Sequence, residues 1–168
     1  MAESTIKNRM NGVASRAFTS DAAGNITIDD DLAGSVARTF SYNHPGQLPN
    51  VSVSGTPQGF YVYDYLFRLA SRELPATSTT RHLVRDLDGN VIAEYDAAGT
   101  LLREYVWLDD RPIAVVADAG TLSPTTYWVH TDHLERPVMM TNDTATVVWQ
   151  AKCLPFGEPS SILRRRLI

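Results

Sequence analysis

The chain has 168 residues, of which 43% are hydrophobic and 20% charged, an ordinary globular composition that excludes wholesale disorder. Its formal net charge is −4, which gives no general attraction to nucleic acid or anionic membranes, so neither is an expected partner. The single cysteine, Cys153, excludes an internal disulfide framework and a multi-cysteine zinc site. The first residues lack the apolar core of a signal peptide, and no later stretch has the length of a membrane span, so the compartment stays unknown.

Short apolar runs separated by turn signals follow one another along the chain. Glycines recur at positions 24, 34 and 46, and again at 89 and 99, with steps of 10 to 12 residues within each group. Strands at this spacing with Asp–x–x–Gly punctuation indicate an all-β protein. We expect consecutive antiparallel hairpins from the runs 20–28, 31–42, 42–53, 86–95, 96–108 and 117–129.

The stretch GNVIAEYDAAGTLLREYVW (89–107) displays the repeating unit most clearly, because it repeats itself after ten residues. An Asp side chain at the first turn position accepts hydrogen bonds from backbone N–H groups two or three residues on. A Gly then takes the positive φ of a three-residue hairpin loop. We therefore expect Asp96 and Gly99 to form such a turn, with Tyr95 and Tyr105 packing on adjacent strands. Neither face of these strands is wholly polar, so both faces are expected to be partly covered.

Helical signals are poor throughout. Arg68–Leu74 fits two helical turns or a strand equally well, and residues 75–80 are predicted to form a loop that divides two sets of repeats. Residues 160–168 contain three consecutive arginines and no turn residue. They are predicted to be an irregular basic tail, with a basic binding patch as the alternative.

The Tyr–Asp–x–x–Gly unit, led by an earlier Gly, resembles the repeat of the Rhs/YD-repeat proteins. The clear copies are GNVIAEYDAAG (89–99) and GSVARTFSYNHPG (34–46), the second with Asn43 in place of Asp. Weaker copies depart from the pattern at Ser20, where Tyr belongs, and at Phe67, where Gly belongs.

The run from 127 to 159 resembles the module that follows the repeats in bacterial Rhs proteins. Glu135 stands where the family usually has Gly, so we expect that turn to be altered. The chain then divides into degenerate repeats (1–80), regular repeats (81–126), the Rhs-type module (127–159) and the basic tail (160–168). The residues that match the module are His130, Thr131, Asp132, His133, Leu134, Pro137, Asn142, Asp143, Val148, Trp149, Phe156 and Gly157.

The resemblance implies a role as well as a fold. In the family, long spirals of β-hairpins form a hollow shell that holds a C-terminal toxin or effector, so the expected fold is a curved strip of sheet, a partial shell. The Asp–Pro–x–Gly self-cleavage motif and a toxin domain are absent here. We therefore expect an isolated fragment that is not an enzyme and needs no cofactor, with the remainder of a larger Rhs core and its toxin as partners. Open sheet edges predict self-association, and the family implies export or the bacterial cell surface.

His130, Asp132 and His133 form the densest polar group of the sequence. Two imidazoles and a carboxylate suit a divalent metal. On a strand, however, His130 and Asp132 share a face while His133 points away, so only a turn would gather them. The preferred interpretation is structural, with His and Asp hydrogen-bonded to neighbouring backbone at a turn, and the metal site is the alternative.

Two further functions remain open as alternatives. The pairs Asp29–Asp31 and Asp109–Asp110 suit the two-carboxylate chemistry of a glycoside hydrolase, although Asp clusters are expected at turns in any case. Aromatic rows on one strand face can stack on sugar rings, whereas core packing is their more ordinary role. The carbohydrate-binding candidates are Tyr61 and Tyr63, which share a face with Tyr65, together with Tyr105 and Trp107.

Overall fold

The computed structural model describes residues 12–13, 15–153 and 159–164, with side chains over residues 15–152. The expected all-β class of consecutive antiparallel hairpins is confirmed, since a 3-10 turn at Pro75–Thr77 is the sole helical element of the described residues. Contacts within the chain divide it into two units, residues 1–80 and 81–168.

The first unit is a sheet in which each strand pairs antiparallel with the next one along the chain. Residues 69–74, where the sequence signals were ambiguous, form a strand rather than a helix. The strands are β1 (Gly12–Val13), β2 (Arg16–Ser20), β3 (Ile26–Asp31), β4 (Val36–Ser41), β5 (Asn50–Val53), β6 (Thr56–Tyr63) and β7 (Leu69–Leu74).

The second unit has the same sequential antiparallel order. Its first strand begins at Thr79, so the predicted loop over 75–80 is only partly correct. The strands are β8 (Thr79–Arg85), β9 (Val91–Tyr95), β10 (Leu101–Leu108), β11 (Arg111–Ala117), β12 (Thr125–Thr131), β13 (Pro137–Thr141), β14 (Val147–Cys153) and β15 (Pro159–Arg164).

One turn recurs seven times among the described residues. Its first residue is an Asp or Asn, whose N–H donates to the carbonyl four residues on, while the fourth residue donates its N–H back to the carbonyl of the first. This is the three-residue hairpin loop that the sequence predicts around Asp96 and Gly99. We call it the Asx turn; it begins at Asp21, Asn43, Asp64, Asp86, Asp96, Asp132 and Asn142.

The fourth residue of the Asx turn has a positive φ in every copy. Four copies place Gly there, as expected. The other three place Phe67, Glu135 and Ala145 there, with φ of 63°, 59° and 58°. The expectation that Glu135 alters its turn is therefore wrong, because the hydrogen bonds of that turn match those at Gly99. These three residues keep the backbone conformation of the glycine-containing turns, although each has a side chain in the left-handed region that favours glycine.

Few side chains are fully buried in either unit. Among the described residues the buried hydrophobic positions are all alanines, and no large side chain falls below 2% exposure. Large apolar side chains such as Val62 (59% exposed), Leu108 (52%) and Trp128 (49%) stand open to solvent. A sheet normally buries one face against a second layer. The prediction that both faces are partly covered is met in β9, where the neighbours Ala93 and Glu94 point to opposite faces and are both buried. The small buried residues are Ala93, Ala114, Ala117 and Ala151.

Candidate functional site

The first unit has a carboxylate cluster centred on Asp29 in β3. Asp29 is only 6% exposed, and its cross-strand partners are Phe18 in β2 and Arg38 in β4. The Arg16 guanidinium donates to both carboxylate oxygens, from Nε at 2.9 Å and from a terminal nitrogen, while Arg38 approaches to 3.8 Å. The hydrogen bond to Asp29 is the main cause of a raised pKa of Arg16. The positive charges of Arg16 and Arg38 therefore balance the negative charge of this carboxylate within the sheet.

The second unit has an equivalent cluster around Glu94 in β9, which is 8% exposed. The Tyr105 hydroxyl donates to Glu94 Oε1 at 2.7 Å, and Arg103 lies 3.4 Å from Oε2. Burial first, and then the bond to Glu94, raises the pKa of Tyr105 to about 12. A phenol held in its protonated form is a hydrogen-bond donor and not a nucleophile. The cluster ties β9 to β10 across one face of the sheet.

The carboxylate pairs proposed for hydrolysis lie in a strand pair and in turns. Asp29 binds Arg16, and Asp31 accepts N–H groups of the following turn from Ala33 and Gly34, both at 3.1 Å. Asp109 and Asp110 form the tip of the β10–β11 hairpin, since Leu108 pairs directly with Arg111. These groups hold turns and strands, as Asp clusters at turns commonly do.

The group His130, Asp132 and His133 is not gathered into a site. Asp132 accepts N–H groups of its own turn and both the Nε and a terminal nitrogen of Arg136, at 2.9 and 2.6 Å. Hydrogen bonding to Arg136 is the largest of the effects that lower the pKa of Asp132 to about 2. His130 Nε2 lies 3.0 Å from Thr141 Oγ1, and His133 is exposed. Over the described ranges, no three His, Cys, Asp or Glu side chains are placed to hold a metal ion.

The candidate carbohydrate-binding aromatics direct their polar atoms into the sheet. Tyr63 donates to the Leu48 carbonyl at 3.1 Å, and Trp107 donates to the Val91 carbonyl at 2.8 Å. Tyr105 donates to Glu94, as described above. Tyr61 covers Gly59, where an added Cβ would lie 2.6 Å from the Tyr61 hydroxyl oxygen. Carbohydrate binding by these residues stays a prediction.

Two aromatic positions differ from the sequence expectation. Tyr65 lies in the Asx turn after Asp64 rather than on the face of β6, and it is 85% exposed. Trp128 is 49% exposed, and the sequence analysis did not single it out. The available signal was the two-residue period of any strand over 127–131, which places Trp128 and His130 on one face of β12.

The residues of the family motif occupy turns and strand pairs. Asp96 Oδ1 accepts the N–H groups of Ala98 and Thr100 at 2.9 and 2.8 Å. Tyr95 pairs with Leu101 across that turn, whereas Tyr105 reaches Glu94. In the Rhs-type module Thr131 pairs with Pro137 and Met140 with Trp149; Gly157 and the side chain of Cys153 lie outside the described residues.

No family model matches the chain, and no curated protein matches it. Its fold is similar to parts of several solved toxin structures, at low identity. A Photorhabdus luminescens Tc holotoxin pore with a mutated TccC3 matches at 13% identity and a TM-score of 0.37. A TcdB2-TccC3-Cdc42 crystal structure matches at 12% and 0.39, and TcdB2-TccC3 at 12% and 0.40. Each match covers 90% of this chain and 12% of the other, so the chain spans about an eighth of the chains it matches.

The described residues contain no helix that is both long enough and apolar enough to cross a bilayer.

Proposed function

We propose that the chain is a non-catalytic structural segment of a larger Rhs/YD-repeat shell that encloses a C-terminal toxin or effector. The observation that carries the proposal is that the strands are regularly paired while few of their side chains are buried. The strands of each unit pair in chain order, yet no large described side chain is fully buried. Such a sheet acquires a dry face only when further protein covers it.

The recurrent Asx turn supports the same role. Each copy satisfies its own backbone groups through an Asx side chain, so the hairpins extend the sheet without specialised connections. Regular addition of hairpins suits a curved strip that encloses a volume. On this proposal the partners are the remainder of the Rhs core and its toxin, and export or a cell-surface location follows from the family resemblance.

The absence of catalysis is part of the proposal, and the engaged carboxylates support it. Asp29 and Glu94, the two buried acids of the described residues, each lie against an Arg from a neighbouring strand. Tyr105 is kept protonated near neutral pH. These groups therefore support the sheet from within.

Co-purification with a neighbouring gene product tests the proposal. A reading frame beside this one that encodes further Rhs-type repeats is expressed with the chain, and complex formation is measured by size-exclusion chromatography. We expect the isolated chain to self-associate through its open sheet edges, and we expect that self-association to be replaced by co-elution with the neighbouring product. A monomer that neither self-associates nor binds that product contradicts the proposal.

A further inference from the structure

We propose that His130, Met139 and Trp128 form a surface site for a soft monovalent metal ion, Cu(I) being the ion it fits. The three residues lie on one face of β12 and β13. His130 and Met139 are direct cross-strand partners, and Trp128 is two positions before His130 on the same strand. This is a different donor set from the His–Asp–His group of the sequence analysis, because it contains no carboxylate.

The pairing brings the imidazole and the thioether within reach of one ion. Directly opposed residues in an antiparallel pair have Cβ atoms about 5 Å apart. Two metal–ligand bonds of about 2.0–2.3 Å each span a gap of this size. Met has three rotatable bonds, so its sulfur adapts to an ion on the imidazole. Met139 is half-buried and His130 is exposed, so the ion enters from solvent.

The hydrogen bond at His130 is compatible with a tautomer that leaves one ring nitrogen for the metal. Nε2 lies 3.0 Å from Thr141 Oγ1, and the proposal assigns the tautomer in which Nε2–H donates to that oxygen and the lone pair is on Nδ1. A bond from the second ring nitrogen orients metal-binding imidazoles in many proteins. Thr141 is the cross-strand partner of Trp128, so the bond draws the imidazole toward the indole. Trp128 is 49% exposed and offers its ring face to a cation beside it.

The ligand types select the ion. Thioether sulfur prefers Cu(I), whereas carboxylate and carbonyl oxygens suit Mg²⁺ and Ca²⁺. The nearest acid in sequence, Asp132, is held by Arg136 and its own turn. Gln150, the neighbour of Met139 on β14, adds only a weak neutral donor set. The site is therefore soft and uncharged, which disfavours the hard divalent ions.

Titration with Cu(I) under anaerobic conditions, against a chromophoric Cu(I) chelator, tests the proposal, with Ag(I) as a redox-inert second probe. All variants carry Cys153→Ser, because a free thiol binds both ions. Met139→Leu and His130→Gln each remove one ligand, and we expect both to abolish competition with the chelator. Thr141→Val removes the orienting hydrogen bond and is expected to weaken binding about tenfold. Trp128→Phe is expected to remove the quenching of tryptophan fluorescence by Ag(I).

Met140→Leu is the matched control. Met140 is adjacent in sequence but points to the opposite face, where it pairs with Trp149 and Val129 and has no His partner. It is expected to leave binding unchanged, and methyl NMR of labelled methionines is expected to show Ag(I) shifts at Met139 alone. Equal loss in Met139→Leu and Met140→Leu, unchanged binding in Met139→Leu, or shifts spread over all methionines would overturn the proposal.

Discussion

Three residues of the Asx turns occupy a backbone conformation that a side chain disfavours. Phe67, Glu135 and Ala145 have the positive φ that Gly24, Gly46, Gly89 and Gly99 adopt without strain. A left-handed residue with a Cβ costs about 1–2 kcal/mol relative to the right-handed form. The hydrogen bonds around Glu135 and Gly99 are nevertheless the same. The turn is thus specified by its first residue, Asp or Asn, as well as by its fourth.

Exchanging side chains at this fourth position changes stability in opposite directions. A Cβ at Gly99 would meet no atom within 4 Å, so Gly99→Ala changes only the backbone conformational energy. We expect Gly99→Ala to lower the free energy of unfolding by about 1 kcal/mol or more. We expect Glu135→Gly to raise it by a smaller amount, because a Gly also gains conformational freedom in the unfolded chain. Urea unfolding measures both. Ala98→Gly, in the same turn without a positive φ, is the control, and an equal loss there would contradict the explanation.

The ion pair between Asp132 and Arg136 makes stability depend on acid pH. The pKa of Asp132 is lowered to about 2 from 3.8, chiefly by Arg136. The ion pair therefore contributes fully to the free energy of unfolding when the pH is above the pKa that Asp132 has in the unfolded chain. That contribution is lost as the pH falls from about 4 through 2, because the unfolded chain then binds the proton more readily. We expect Asp132→Asn to destabilise the chain at pH 6 and to have a shrinking effect toward pH 2 in urea unfolding. Asp143→Asn, at an exposed turn position, should show no such convergence; a constant difference for Asp132→Asn would disprove the ion-pair explanation.

At the scale of strands, buried polar clusters connect neighbouring strands in a sheet that buries few large apolar side chains. Glu94 in β9 accepts from Tyr105 in β10 and faces Arg103, with 8% exposure. The ten-residue repeat pairs Glu94 with Glu104 in sequence, but Glu104 is exposed and lies opposite Ala93. The ten-residue repeat therefore places equivalent turns at equal intervals, but its two glutamates lie on different faces of the sheet.

Tyr105 is expected to make the sheet sensitive to alkaline pH. Its pKa is raised from 10.0 to about 12 in the folded chain, so the unfolded chain loses the proton first. Its stabilisation is complete below pH 10 and is lost as the pH rises from 10 to about 12. Tyr105→Phe removes the phenol donor from Glu94 Oε1 and leaves Arg103 on Oε2, and we expect a loss of about 1–3 kcal/mol at pH 7 together with a weaker dependence on alkaline pH. Chemical unfolding from pH 7 to 11.5 measures this, with Tyr65→Phe, 85% exposed, as the matched control.

The turns and strands were largely predictable, and the side-chain positions were less so. Asp–x–x–Gly marked the turns at Gly89 and Gly99, because Gly at a fixed distance from Asp carries a strong conformational signal. Phe67 and Ala145 gave no such signal, since residues with a Cβ rarely adopt positive φ. The register shift between Leu101 and Arg103 was also invisible, because a bulge depends on pairing across strands. That shift places Tyr105 on the same face as Glu94 instead of on the face of Val91, Ala93 and Tyr95.

The exposed Trp128 shows a further limit of sequence reasoning. A tryptophan in a strand usually packs in a core, whereas Trp128 is 49% exposed to solvent. The alternation of β12 places Trp128 and His130 on one face, but the pairing with Met139 needs the register of β13. The alternative metal site at His130, Asp132 and His133 was also not foreseeable as wrong from sequence, because Asp132 accepts hydrogen bonds from its own turn and from Arg136.

At the scale of the whole molecule, each unit has strand pairing without a core of large side chains. The buried hydrophobic residues of the described chain are alanines, and side chains such as Val62, Leu108 and Trp128 are exposed. Since burial of apolar area is the main stabilising contribution in folding, such sheets gain stability from additional protein on their faces or edges. On the proposed function, the rest of the shell is the protein that covers these faces.

The most direct test is the binding of a hydrophobic dye, ANS, to the isolated native chain at pH 7. We expect strong fluorescence enhancement well below the unfolding transition, with the near-ultraviolet circular dichroism of ordered aromatic residues retained, which distinguishes exposed sheet faces from a molten state. We also expect the enhancement to fall when the remaining core protein of the proposed shell is bound. A native chain that shows no enhancement until it unfolds would rule out exposed apolar faces, because those faces would already be covered.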